Sequence, residues 1–297
     1  MKPPQHAQFD KRLLRRSFER AAPSYDEAAV LQHEVCRRMD ERLDLIKLQP
    51  LTILDAGSGT GNALAALRGR YPPARVIALD LALAMLQRGR GRTSSPWWKS
   101  LLRSPSDALC GDIERLPLAA HSVDLVWSNL ALQWVNDPDK AFGEFHRVLK
   151  PGGLLMFSTF GPDTLKELRA AFATSAGVER HTHVSRFIDL HDIGDILVKR
   201  GYADPVMDAE PFTLTYSDVR GLMRDLKSIG AHNVTHDRAP GLTGKSRLAA
   251  VTQAYETLRR DGKLPATFEV VYGHAWKPLP RVSADGKRVI DIKPAGE

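Results

Sequence analysis

Cysteine is scarce in this chain: Cys36 and Cys110 are the only two among 297 residues, and neither has a CxxC neighbour. A thiolate metal cluster and a disulfide framework are thereby excluded, and two inert thiols in a reducing compartment are expected. No run of eighteen apolar residues occurs, so no membrane-spanning helix is expected. Met1 to Arg20 carries six Lys/Arg and two acidic residues but lacks the apolar stretch of a secretory signal. A cytoplasmic location is therefore expected, with an Arg-rich transit peptide as the lesser reading. Internal repeats and low-complexity bias are absent. His181 with His183, and His232 with His236, lack the companions of a metal centre, so no metal is expected. No Lys/Arg block interleaved with aromatics marks a nucleic-acid stripe, although the formal net charge of +7 favours acidic partners.

What is present is an ordinary globular composition, 43% hydrophobic and 26% charged, sufficient for one large core with or without a smaller addition. From Phe9 to Leu48 apolar residues recur at three- and four-residue spacing, interrupted at Pro23-Ser24. That predicts two helices, with Ser24 or Asp26 capping the second. Strands are predicted at Thr52–Asp55, Arg75–Leu79, near Ala108–Cys110, at Val123–Ser128 and at Leu154–Phe160. Helices are predicted through Leu64–Arg70, over Ala82–Arg90 and over Pro138–Leu149, the last stopped by Lys150-Pro151-Gly152-Gly153. Alternation of strand and helix predicts an α/β fold, a doubly wound, mostly parallel Rossmann-like sheet. Gly91 to Ser106, with Trp97-Trp98, reads as an insertion. Beyond residue 162 helices are predicted over Asp163–Ala173, Asp189–Arg200, Ser217–Gly230 and Lys245–Arg260, with short strands at Phe212–Tyr216 and Thr267–Tyr272. The chain divides into an N-terminal helical lid (1–48), a cofactor-binding core (49–162), a substrate-binding region whose helices and strands complete a seven-stranded sheet (163–276) and a mobile tail (277–297).

The strongest motif is Ile53-Leu54-Asp55-Ala56-Gly57-Ser58-Gly59-Thr60-Gly61. Gly57, Gly59 and Gly61 let a strand turn tightly into a helix while its backbone approaches a ligand. The Lys-Ser/Thr pair of a phosphate loop is missing, and the spacing is G-x-G-x-G rather than G-x-G-x-x-G. Asp55, two residues before the first glycine, suits a cationic amino-acid ligand better than a pyrophosphate. Nineteen residues beyond Gly61, Asp80 closes the second strand, where a carboxylate can accept both ribose hydroxyls. Gly111-Asp112-Ile113 adds a third acidic loop: Asp112 can hold an adenine exocyclic amine while Ile113 covers a ring face. Asn129, after the fourth strand, can bond the methionine portion of such a ligand. Trp134 reads equally as core or site.

In this order the motifs resemble the class I S-adenosylmethionine-dependent methyltransferases over residues 52–160. The flanks narrow the likeness. Phe18-Glu-Arg-Ala-Ala-Pro-Ser-Tyr25-Asp26, Leu31-Gln32, Gly111-Asp-Ile-Glu-Arg-Leu-Pro117, Trp127-Ser-Asn-Leu-Ala-Leu-Gln-Trp134 and Leu226-Lys-Ser-Ile-Gly-Ala231 resemble the malonyl-[acyl-carrier protein] O-methyltransferases of biotin synthesis, from about Phe9 to Trp276. The resemblance implies S-adenosylmethionine as cofactor, an acyl carrier protein bearing a malonyl thioester as partner, and methylation of the free carboxylate. Phe160-Gly-Pro-Asp-Thr-Leu-Lys-Glu-Leu168 and Pro265-Ala-Thr-Phe268 also resemble a methyltransferase-like respiratory complex I assembly factor. A methyltransferase for a small dicarboxylate or quinone precursor is a further alternative.

Carboxyl methylation needs no strong base, because the nucleophile is already ionised near neutral pH. It needs alignment, dryness and an anion clamp. Arg186 and Lys227 are the candidates for the clamp, arginine being the natural bidentate partner of a carboxylate. Tyr25 can reach cofactor or substrate from the lid. Arg12, Arg15, Arg16, Arg20, Arg220, Arg224, Lys245 and Arg247 can form a landing surface for an acidic carrier. A monomer is expected.

Overall fold

In the computed structural model, residues 8–92, 107–175, 187–231 and 244–280 are described. Arg186, the Trp97-Trp98 segment and the two histidine pairs lie outside them. Seven strands form one sheet: β1 (Thr52–Ala56), β2 (Arg75–Asp80), β3 (Ala108–Cys110), β4 (Val123–Ser128), β5 (Leu149–Phe160), β6 (Ala203–Tyr216) and β7 (Leu264–Trp276). Their spatial order is β3-β2-β1-β4-β5-β7-β6. The first five strands are mutually parallel, whereas β7 runs antiparallel to both β5 and β6. The central strands are apolar on both faces, as a sheet covered by helices on both sides requires.

One face is covered by α3 (Val30–Arg42), α4 (Leu64–Arg70), α5 (Leu83–Arg92), α7 (Lys166–Ser175), α9 (Val219–Ser228) and α10 (Lys245–Glu256), through residues such as Val35, Leu67, Leu168, Leu222 and Tyr255. The other is covered by α6 (Pro138–Val148) and α8 (Leu190–Lys199), which bury Phe142, Phe145, Ile193 and Leu197 against Leu155 and Phe157. No helix among the described residues is long and apolar enough to cross a membrane.

Several boundaries differ from the sequence reading. The N-terminal segment forms three α-helices rather than two: α1 (Lys11–Ala21), the single turn α2 (Tyr25–Ala28), and α3. Asp10 caps α1, its carboxylate accepting from Arg12 N at 2.9 Å and Leu13 N at 3.1 Å. Ser24 precedes α2 without capping it. Its hydroxyl instead donates to the carbonyls of Ala21 and Ser228, tying the turn to the end of α9. β5 starts at Leu149, directly after α6, because Leu149 pairs with Val123 and the glycines then carry the strand past a bulge. β6 and β7 are 14 and 13 residues long, far longer than the apolar cores read from sequence, because each other's backbone supplies the pairing. The tail is not free at its start: Lys277 is buried, and its backbone bonds Gly152 N and Gly153 O. Its ammonium donates to the carbonyls of His146 and Leu149 at the end of α6. The rest of the predicted tail lies outside the described residues.

Candidate functional site

At the carboxyl ends of β1, β2 and β4, where parallel sheets present ligand sites, the loops enclose a cleft of about 640 Å³, part of it open to solvent. The loop after β1 is tied to the end of β2 by Gly57 N and Ser58 N, both donating to Leu79 O at 2.8 and 2.9 Å. Gly57 has φ +81°, and a Cβ there would sit 2.2 Å from the Ala131 Cβ. Only a glycine lets this loop pass the chain after β4. Leu130 beside it is held at φ +47°, a strained conformation that its amide sustains by donating to both Ser158 O and Oγ.

Asp80 organises the same loop. One carboxylate oxygen accepts from Gly59 N at 2.9 Å and the other from Ala82 N at 2.8 Å. Burial raises its pKa to about 6 despite these donors. Opposite, Asp112 accepts from Glu114 N and from Lys11 Nζ at 3.0 and 3.2 Å, while Lys11 is also ion-paired with Glu114. Ile113 packs near Gly57.

The N-terminal helices roof the cleft. Leu14, Phe18 and Tyr25 line it together with Lys11. Trp134 packs edge-on against Phe18 and tilted against Phe9, with ring centroids 5.4 and 5.6 Å apart. Phe9 exchanges two hydrogen bonds with the Asn136 side chain, and Thr60 donates to Asp26. Burial, reinforced by the charges of Asp80 and Asp26, drives the Tyr25 hydroxyl pKa far up, so it stays a neutral donor.

Of the residues singled out from sequence, the cleft brings together Tyr25, Gly57, Gly59, Asp80, Asp112, Ile113 and Asn129. Asn129 lines it with its side chain already engaged: the amide donates to Gln32 O and the carbonyl accepts from Ser158 Oγ. Gly61 does not line the cleft; it turns the loop into α4, against Leu64. Neither does Lys227, which is exposed in the last turn of α9. Arg186 falls outside the described residues. The sequence reading missed Lys11, Leu14, Phe18, Leu81, Met85, Leu130, Ala131 and Val135 as lining residues: helical spacing marks Leu14, Phe18 and Met85 only as core, and nothing local marks Lys11 or the loop residues.

Asp55 is likewise a correction. It is 2% exposed and does not line the cleft. Its carboxylate accepts from Ser58 Oγ at 2.7 Å, behind the glycine loop. Side chains alternate along a strand, so Asp55 falls on the same face as Ile53, which packs against α3 and α4. Burial raises its pKa to about 7, with Asp80 adding to the rise and Ser58 opposing it. From pH 4 to 7 the folded chain therefore holds a proton that the unfolded chain has lost, and stability falls as pH rises through that window. Asp55→Asn removes the loss and keeps an acceptor for Ser58. The variant is expected to match the parent near pH 4 and to exceed it by about 4 kcal/mol at pH 8, at roughly 1.4 kcal/mol per pH unit. Urea unfolding at both pH values measures this, and a gap that does not grow with pH would falsify it.

Residues 54–157 match the methyltransferase domain family. The chain is 59% identical to the malonyl-[acyl-carrier protein] O-methyltransferase of Gallionella capsiferriformans over 95% of its own length and 96% of the relative's. It is 57% identical to that of Methylovorus over 96% of both chains. Among solved structures, the YcgJ protein of Bacillus subtilis shares the fold at a TM-score of 0.56 and 16% identity, covering 83% of this chain and 99% of that one. The identity to these relatives extends through the lid and both antiparallel strands, well beyond the domain shared by methyltransferases at large. The chain belongs to the malonyl-[acyl-carrier protein] O-methyltransferase family.

Proposed function

We propose that this protein transfers a methyl group from S-adenosylmethionine to the free carboxylate of a malonyl thioester on an acyl carrier protein. The observation that carries the reading is identity of 55–59% to enzymes of that name over about 95% of the chain. It favours this reaction over the small-molecule and assembly-factor alternatives. The resulting ester masks the charge, so that the acyl group can prime the synthesis of the biotin precursor.

The residues of the cleft fit the cofactor. Asp80, half-buried at the cleft wall, and Asp55, buried behind it, are both held above their usual range, and a ligand bearing net positive charge in the cleft favours their ionised forms. Asp80 retains lone pairs for ribose hydroxyls, and the Gly57 cradle admits a flat ring against Ile113 and Ala131. Asp112 stands where an exocyclic amine needs an acceptor. When bound, S-adenosylmethionine supplies an electrophilic methyl on a sulfonium.

The protein's own part is positioning. A malonyl carboxylate is ionised near neutral pH, so no residue need remove a proton. Leu14, Phe18 and Trp134 give the cleft an apolar wall, and Tyr25 lines the same wall. The anion is gripped by Arg186, whose planar fork matches a carboxylate and rejects uncharged acyl groups.

The direct experiment incubates malonyl-carrier protein with enzyme and cofactor and follows a gain of about 14 Da by mass spectrometry, the mass of one CH2 by composition. Arg186→Ala should lower single-turnover transfer about 10- to 150-fold, the loss of a charged hydrogen bond of about 1.5–3 kcal/mol. Cofactor affinity should hardly move, and Arg186→Lys should recover little. Near-normal turnover in the alanine variant places the clamp elsewhere, and absence of the mass gain in the parent refutes the reaction.

A further inference from the structure

The roof of the cleft has an outer face, and its cations stand in two stripes. On α1 the buried residues Leu14, Ser17 and Ala21 take one side, and Phe18 and Lys11 turn towards the cleft. Arg12, Arg16 and Arg20, four residues apart, form a stripe on the opposite side, and all three are exposed. On α9 the buried side is Val219 and Leu222, whereas Arg220, Arg224 and Lys227 are exposed along one flank.

The chain of α1 and the turn after it reach the C-terminal end of α9. Ser17 Oγ donates to Gly230 O at 2.9 Å, just past the end of α9, and Ser24 Oγ donates to Ser228 O. Elsewhere many arginines are neutralised by carboxylates, Arg37 by Glu34, Arg42 by Asp208, Arg70 by Asp40, Arg147 by Glu144, Arg200 by Asp139 and Arg259 by Glu256, whereas those without such a partner, Arg115 and Arg260, are not drawn up in a row along one helix. None of the six cations on the two stripes has a carboxylate partner among the described residues. A cluster of unpaired arginines beside a cleft is an attractive field for an anionic protein and a repulsive one for a cationic protein.

Not every charge of the sequence-level landing surface belongs to it. Arg15 is paired with Glu19, and Arg247 is partly buried on α10.

We propose that the acidic carrier protein docks on this outer face, across α1 and the end of α9, and by doing so holds the cofactor cleft shut. The inference rests on the proposed carrier-linked substrate. It goes further in assigning the docking surface and in making that surface the back of the lid. The inner side of α1 is latched to the cleft by Lys11 on Asp112 and Glu114 and by Phe18 on Trp134. Lifting α1 to release the cofactor breaks these contacts together with the Ser17–Gly230 bond. A partner bridging α1 and α9 resists that motion. The cofactor therefore binds first, and its demethylated product leaves only after the carrier.

Three measurements on the full chain test this, with Arg16→Glu/Arg20→Glu/Arg224→Glu as the variant and Arg16→Gln/Arg20→Gln as a milder one. The first is binding of dye-labelled carrier protein bearing its phosphopantetheine arm, read by anisotropy. Affinity should fall at least tenfold in the charge-reversed variant and less in the glutamine variant, and added salt should weaken binding in the parent but hardly change it in the reversed variant. The second is turnover. KM for malonyl-carrier protein should rise at least tenfold in the reversed variant, whereas its turnover of malonyl-coenzyme A should match the parent, which also shows that the variant is folded.

The third is stopped-flow release of bound S-adenosylhomocysteine. Saturating carrier should slow release about tenfold in the parent and leave the reversed variant unaffected. Undiminished carrier binding by the reversed variant overturns the surface, as does preferential binding to vesicles of anionic phospholipid. Release that is not slowed by bound carrier overturns the coupling. A parent that binds carrier at this face yet methylates neither thioester refutes the proposed reaction while leaving the docking surface standing.

Discussion

Gly57→Val is expected to weaken cofactor binding on the order of a thousand-fold, about 4 kcal/mol. Two separate effects combine. At φ +81° a β-branched residue is strained by roughly 1–2 kcal/mol relative to glycine. Its Cβ must also displace Ala131, whose own Cβ lies 2.2 Å from the required position. Ala131 cannot yield freely, because Leu130 before it is locked at positive φ by its bonds to Ser158, and Leu132 after it is buried. The side chain therefore pushes the glycine loop away from β4 and closes the cradle.

Gly59→Ala is the matched control. Its φ of +55° lies in the left-handed region that non-glycine residues tolerate at about 1 kcal/mol, and a Cβ there meets nothing nearer than a Tyr25 ring carbon at 4.0 Å. It should lose tenfold or less. Calorimetric titration with S-adenosylhomocysteine, alongside thermal unfolding to confirm the fold, measures both. Equal losses in the two variants would show that the cleft is not shaped by the approach of Gly57 to Ala131.

Asp80→Ala should weaken the cofactor about 100- to 1,000-fold. The substitution removes the acceptor for the ribose hydroxyls and strands the amides of Gly59 and Ala82, which both point at the lost carboxylate. Each orphaned partly buried donor costs about 1–3 kcal/mol, and the loop relaxes to recover part of that. Asp80→Asn separates the contributions, since its single carbonyl oxygen can still satisfy one amide. The loss should then be nearer tenfold.

The same carboxylate gives the parent a pH signature. With its pKa raised to about 6, Asp80 is largely ionised at pH 8 and largely protonated at pH 5. A protonated carboxyl offers fewer lone pairs to hydroxyl donors and no charge to a cationic ligand. Cofactor affinity in the parent is therefore expected to fall as pH drops below about 6, approaching tenfold per unit. The Asn variant should show a shallower fall, with Asp55 still titrating but lower than in the parent, because the Asp80 charge that helps raise it is gone. A parent whose affinity is level from pH 5 to 8 would remove Asp80 from the ribose position.

The sheet, the glycine loop and the acidic strand ends were legible in the sequence because each is a local device. A short apolar run ending in a glycine turn and followed by a helical pattern reads as a buried parallel strand, and G-x-G-x-G after such a run reads as a tight turn. Thr52–Ala56, Arg75–Asp80 and Val123–Ser128 accordingly fall where periodicity places them, within a residue. The order of Asp80 after the loop and Asp112 after that likewise reflects chain topology: successive strands of a doubly wound sheet deliver their carboxyl ends to one edge.

Other features were decided by contacts between residues far apart in sequence. That Asp55 turns away from the cleft follows from which face of β1 the helices α3 and α4 cover, and the motif itself is the same whichever face that is. Phe18 and Lys11 become part of the site because α1 folds back across the sheet edge and Lys11 finds Asp112, 101 residues away. Lys227 is kept from it because the last turn of α9 faces outward. β6 and β7 extend to 14 and 13 residues because each pairs antiparallel with the other along nearly its whole length, carrying both past the short runs read from sequence. The sequence by itself determined the fold class, the glycine turn and the spacing of the acids, since these depend on neighbours along the chain. Tertiary structure alone decided which acids face the cleft, which helix roofs it and which arginines lack a carboxylate partner among the described residues, since burial and pairing are properties of three-dimensional neighbours.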